Sequence, residues 1–199
     1  MKLILASGSP RRQELLKLIT EDFKVHAVAV DETLPTGMPV EMSAVFLADK
    51  KAKAGAELFP QQIVIGCDTV VILHDEIMGK PKDRQEAFQM LRKLSNETHT
   101  VMTGVALYYG KQSTSFTVET QVNFYTLSDD EINAYLDTGE PFDKAGAYGI
   151  QGKGALFVRY LEGDYFNVVG LPVAVLARNL RQFENIVKKP KILFHRPTN

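Results

Sequence analysis

Residues 62–73, QIVIGCDTVVIL, are almost continuously apolar and rich in β-branched side chains. A strand with one face in water alternates polar and apolar residues. This run does not, so it reads as a central strand buried on both faces, with further layers packed against its sheet. Helical patterns supply those layers. A helix over about 41–58 precedes the strand, and Asp83 with Glu86 opens another that carries Ala87, Met90, Leu91 and Leu94. Residues 98–109 and 115–127 read as strands around Gly110-Lys111, and Phe116, Val118, Val122 and Phe124 alternate as in a half-buried antiparallel strand. Buried and alternating strands together predict an α/β fold with a mixed twisted sheet and flanking helices.

The remaining elements follow outward from that strand. Lys2 to Ala6 reads as a strand that passes through Ser7-Gly-Ser-Pro-Arg-Arg12 into a helix with Leu15, Leu16, Leu18 and Ile19 at helical spacing. Residues 23–30 read as a strand, Ser128 with Glu131 as a capping box and Gly139 as a helix stop. Ala155 to Leu161 and Tyr165 to Val169 read as a hairpin turning at Glu162-Gly163-Asp164, followed by a helix from about 172 to 187. No repeat or composition break divides the chain, so residues 1–187 are expected to form a single domain and 188–199 a tail.

Composition narrows the function classes. The chain has 199 residues and a formal net charge of −1, so any anion binding comes from local clusters, and a small anionic substrate fits better than nucleic acid. One cysteine excludes an internal disulfide framework, and the four histidines lack metal-binding spacing. The short apolar start does not suit a signal peptide and no run reaches membrane-spanning length, so a cytoplasmic location is expected.

The Ser7 to Arg12 loop has the makings of an anion trap. Ser9 suits the N-cap and Pro10 the first helical position, which leaves free N–H groups and the positive end of the helix beside Arg11 and Arg12. Ser7 and Ser9 add hydroxyls. Asp68 interrupts the apolar strand, so either a neighbouring backbone group satisfies it or a cation, metal or proton does. Glu32 is a second carboxylate, and a pair facing phosphate oxygens is what a hard divalent cation needs. Lys53, on one helix face with Lys50, and Lys80, in the rigid Gly79-Lys80-Pro81 turn, are the candidate phosphate cations. In the glycine-rich run 143–152, Tyr148 and Gln151 are candidates for stacking and base-edge hydrogen bonds, while Cys67 faces away from Asp68 into the core.

These motifs occur in order at separations that closely resemble the Maf family of nucleoside triphosphate pyrophosphatases. The resemblance runs from Leu3 to about Phe183 on Ser7-Gly-Ser-Pro-Arg-Arg12, Glu32, Lys53, Asp68-Thr69, Gly79-Lys80-Pro81, Thr103-Gly104, Asp143 to Gly152 and Val169 to Pro172. It implies a fold like that of inosine triphosphate pyrophosphatases, with two lobes around a central cleft. It also implies hydrolysis of a nucleoside triphosphate to the monophosphate and pyrophosphate, with Asp68 as the base. Glu32 and Asp68 would hold a divalent cation, magnesium or manganese. Ser7, Ser9, Arg12, Lys53 and Lys80 would meet phosphate. Arg11, Thr69 and Gln151 stand where the family varies with substrate, and an amide at 151 suits uracil or thymine, which points to dTTP and UTP. A purine or 7-methyl-GTP pyrophosphatase remains an alternative. The family further implies a cytoplasmic homodimer and a possible cell-division partner, which leaves open a regulator of septum formation in which hydrolysis is secondary.

Overall fold

One edge of the central strand β3 (Ile63–Leu73) pairs without a break, from Val64 to Ile72, with the antiparallel β5 (Thr98–Tyr109). The other edge is divided. The parallel β1 (Leu3–Leu5) takes Ile63 to Ile65, and the antiparallel β4 (Glu76–Met78) takes Val71 to Leu73. Residues 66–70 on that edge carry no strand, which opens the middle of the sheet. In the computed structural model, which describes residues 3–188, β2 (Phe23–Val25), β6 (Gln112–Phe124) and β7 (Val158–Glu162) complete a seven-stranded mixed sheet of order β2-β1-β3-β5-β6-β7. The expected tail, apart from Lys188, and His195 lie outside the described residues.

Alternation along β3 sends its even-numbered side chains to the face covered by α2 (Val40–Leu58). That helix lies directly on the sheet. A Cβ at Gly66 would stand 2.2 Å from the Ala48 carbonyl oxygen, and one at Gly104 would stand 2.3 Å from the backbone of Ala44 and Val45. Glycine is therefore required at both positions, and its absence of bulk lets a helix side chain reach down to the strand.

The odd-numbered face carries two separate cores. Around Ile63, Ile65 and Cys67 pack Leu15 and Leu16 of α1 (Pro10–Lys17) with Leu176, Leu180 and Phe183 of α6 (Val173–Lys188). Around Val71 and Leu73 pack Leu91 and Leu94 of α3 (Arg84–Leu94) with Ile132 and Leu136 of α4 (Asp129–Leu136). These are the two expected lobes, and the opening in the sheet lies between them. The Ser128–Glu131 capping box at α4 forms as read, and Asp83 caps α3 through the Glu86 N–H.

Two readings of the sequence are corrected. Tyr165–Val169 is not a hairpin arm but a short helix, α5, capped by Asp164, whose Oδ1 accepts from the Phe166 N–H at 2.8 Å. Its strand-like composition is overridden by Asn167, whose buried side chain donates to the Val101 carbonyl at 3.0 Å and to Thr120 Oγ1 at 2.9 Å. The strand read over 23–30 ends at Val25, although the His26 N–H still reaches the Leu5 carbonyl. β4 was not legible, because its tight turn uses His74 and Asp75, both at positive φ, in place of an Asn-Gly signal.

One buried group gives the fold a pH dependence. His99 lies edge-on to Phe124 and Tyr148 with Nε2 2.7 Å from the Tyr148 hydroxyl and no partner for Nδ1, and burial lowers its pKa from 6.5 to about 4. Below pH 6.5 the unfolded chain binds a proton that the native chain refuses, so stability is full above that pH and is lost as pH falls toward about 4. Between pH 7 and 5 the loss at this site is about 2 kcal/mol. Urea unfolding at the two pH values is expected to show a smaller acid loss for His99→Leu than for the wild type. Equal losses would remove His99 as the cause.

Candidate active site

Each component of the site reaches the sheet opening from a different element. Ser9 caps α1, its Oγ accepting the Arg12 N–H at a long 3.5 Å, with Pro10 at the first helical position. From the first turn Arg12 folds into the opening. It donates from Nε to the Gly170 carbonyl at 2.9 Å, from Nη1 to the Cys67 carbonyl at 2.8 Å and to Ser7 Oγ at 3.3 Å, and from Nη2 to Thr69 Oγ1 at 3.0 Å. Four of its five N–H groups are thus held by protein, and the guanidinium is a rigid positive wall with one donor left. Ser7 is buried and its hydroxyl also accepts from the Ser9 N–H at 3.3 Å, so it braces Arg12 and the loop from beneath. Arg11 points the other way, to Asp143 Oδ2 at 3.5 Å across the cleft.

On the α2 side Asp68 meets a lysine, but not Lys53. Lys51 Nζ lies 2.5 Å from Asp68 Oδ1 and 2.7 Å from Glu32 Oε1, bridging the two carboxylates. The Lys51 and Asp68 side chains are only 12% and 14% exposed. Lys53, two residues on and therefore about 200° around the helix, is exposed away from the cleft. Lys50 pairs with Asp31 at 3.9 Å over the Phe46 ring. The structure brings Lys51, and not the expected Lys53, to the two carboxylates. The signal was present, since Ala44, Leu47, Ala48 and Lys51 fall on one i, i+3, i+4, i+7 stripe, which makes Lys51 the lysine of α2 in an apolar stripe.

Electrostatics bind the cluster together. The Lys51 hydrogen bond, more than opposing desolvation, holds the Glu32 pKa below its ordinary value, with the charges of Lys51, Lys80 and Arg12 adding to it. Burial works to lower the Lys51 pKa, but the charges and hydrogen bonds of Asp68 and Glu32 together raise it. Lys51 is therefore a fixed ammonium, and Asp68 Oδ2 and Glu32 Oε2 have no hydrogen-bond partner among the described residues.

The opposite wall comes from the second lobe. Lys80 is exposed on the turn after β4, and the neighbouring Gly79 carbonyl accepts from the Gly146 N–H at 3.0 Å, tying that turn to the glycine-rich loop. Gln151 is exposed at the rim of the cleft. Tyr148 is not the free stacking surface expected: although it lines the cleft, it is buried, edge-on to Phe124 and His99, with its hydroxyl against His99 Nε2. The cavity so enclosed has a volume of about 470 Å³, within the range of small-ligand sites. Among the described residues no three His, Cys, Asp or Glu side chains are grouped to hold a metal ion. Glu32 and Asp68 are two hard oxygen donors with free valence, so they fit a divalent cation that completes its shell from phosphate oxygens.

An α/β sheet that opens over a capped helix start, with two arginines and two lysines around paired carboxylates, defines a cleft built for a polyanion and for chemistry upon it. Comparison with known proteins narrows the class. The Maf-like protein family matches residues 2–183, and the chain belongs to it. It is 50% identical over 184 residues, 92% of this chain and 96% of the relative, to a dTTP/UTP pyrophosphatase of Bacillus cytotoxicus. It is 51% identical over 185 residues, 92% of this chain and 99% of the relative, to a protein of the same name from Carboxydothermus hydrogenoformans. Among solved structures, the Staphylococcus aureus Ham1 protein shares the fold, with a TM-score of 0.52 and 17% identity over 95% of this chain and 100% of that one. No helix among the described residues is long and apolar enough to cross a membrane.

Proposed function

We propose that the protein hydrolyses dTTP and UTP, and modified uridine triphosphates, to the nucleoside monophosphate and pyrophosphate. The observation that carries the reading is the Glu32–Lys51–Asp68 cluster facing Arg12 across the sheet opening, in a chain about half identical to proteins named for that activity. Asp68 takes the proton of a water that attacks the α-phosphorus, and the bond to the β-phosphate oxygen breaks, releasing pyrophosphate. Lys51, Lys80, the remaining donor of Arg12 and the Arg11 N–H in the first turn of α1 meet the charge that develops on the phosphate oxygens. Ser9 shapes that helix start, and Ser7 acts through Arg12. Glu32 and Asp68 would hold a magnesium or manganese ion, which would neutralise phosphate charge when bound. At the rim, the Gln151 amide can donate to a carbonyl oxygen of uracil or thymine, with Thr69 and Arg11 as the other selecting groups. The same reading makes the protein a cytoplasmic homodimer.

Competition kinetics test the base assignment. The kcat/KM for dTTP and UTP is expected to exceed that for CTP, ITP and 7-methyl-GTP. A higher value for ITP or 7-methyl-GTP would overturn the pyrimidine assignment and leave the pyrophosphatase reading standing.

A further inference from the structure

Thr69 follows Asp68 on β3, so its side chain leaves the sheet on the opposite face, where its cross-strand partner on β5 is Thr103. The two hydroxyl oxygens are 2.9 Å apart, a distance that does not say which one donates. The surroundings do. Thr103 Oγ1 is 3.0 Å from the backbone carbonyl of Asn167, and both residues are buried. The N–H groups leaving α5, of Gly170 and Leu171, both go to the Phe166 carbonyl, so the Thr103 hydroxyl is the donor that reaches the Asn167 carbonyl. A buried carbonyl left unpaired is costly, which commits the Thr103 proton to it.

A hydroxyl has one proton and two lone pairs. With the Thr103 proton committed, the short contact between the threonines requires Thr69 to donate. Arg12 Nη2 already donates to Thr69 Oγ1 at 3.0 Å and fills one lone pair. What Thr69 presents to the cleft is the other lone pair, an acceptor. Asn167 cannot easily turn away to release the chain, because its side chain is pinned to the Val101 carbonyl and Thr120. Ionised phosphate oxygens are acceptors too and find no partner at Thr69, so the part of the ligand that sits there must carry N–H or O–H.

We propose that Thr103 is a positioning residue for base selection: it fixes the Thr69 proton so that Thr69 accepts the N3–H of uracil or thymine and turns away cytosine, whose N3 is a bare lone pair. The proposal rests on the dTTP and UTP reading above and adds to it a residue that never touches substrate.

Thr103→Val keeps the side-chain shape and removes the relay, whereas Thr103→Ser keeps the hydroxyl. In the valine variant the Thr69 proton is released and can turn into the cleft, so the ratio of kcat/KM for UTP to that for CTP is expected to fall about tenfold or more, the effect of one lost buried hydrogen bond. The loss should appear mainly in KM, with the serine variant retaining the wild-type ratio. A second measurement uses the wild-type protein alone. The triphosphate of pyrimidin-2-one riboside has no hydrogen on N3, so it is expected to be as poor a substrate as CTP, and hydrolysis as efficient as that of UTP would overturn the proposal. A UTP-selective enzyme whose ratio survives Thr103→Val in a folded protein would overturn the relay alone. A wild-type enzyme that hydrolyses CTP as well as UTP would overturn both the relay and the base reading beneath it.

Discussion

Asp68→Asn is expected to lower UTP turnover by at least about a hundredfold, the low end of general-base effects, in a protein that folds as before. The amide has the same size and still accepts from Lys51 through its oxygen, and the β3–β5 ladder that pairs residue 68 with Gly104 does not involve the side chain. What is lost is the basicity that takes a proton from water and the charge that would draw a cation between Asp68 and Glu32. Pyrophosphate release, measured beside a thermal unfolding curve, separates the two possibilities. A protein with the wild-type melting temperature and near-normal turnover would reject Asp68 as the base.

Lys51→Ala is expected to cost about a hundredfold or more in kcat/KM, comparable to removing one preorganised donor from a transition-state site, while Lys53→Ala stays within about twofold of the wild type. The contrast follows from geometry. Lys51 is the cation between Glu32 and Asp68, so its removal leaves two carboxylates facing each other and the phosphate without the positive charge that offsets them. Lys53 is exposed on the other side of the same helix. A larger loss from the Lys53 variant than from the Lys51 variant would contradict the assignment of the α2 cation.

What the sequence revealed and what it concealed divide along physical lines. Local chemistry was legible: the nearly continuous apolar run of β3, the capping box of α4, the Asp83 cap of α3 and the Ser9-Pro10 start of α1 all rest on residue types whose preferences act within a few positions. The placing of Arg11 and Arg12 in the first turn of a capped helix was legible for the same reason. The use made of Arg12 was not, because its partners Cys67, Thr69 and Gly170 arrive from elements 55 to 158 positions away. The choice of lysine on α2 was in principle readable from the apolar stripe, and it was missed because Lys50 and Lys53 appeared as a surface pair while the sheet-facing side was not yet defined. Tyr165–Val169 has strand-forming side chains, and only the buried Asn167 and its partners on β5 and β6 make it a helix. The opening between β1 and β4 depends on a turn at His74-Asp75 with no recognisable signature, so the feature that creates the site was the least visible one.

Attack of water at the α-phosphorus requires pyrophosphate to leave intact. Phosphorus NMR of the purified protein with UTP and a divalent cation reads this outcome directly. UMP and pyrophosphate are expected to appear in equal amounts, with no UDP. Accumulation of UDP and orthophosphate would contradict it.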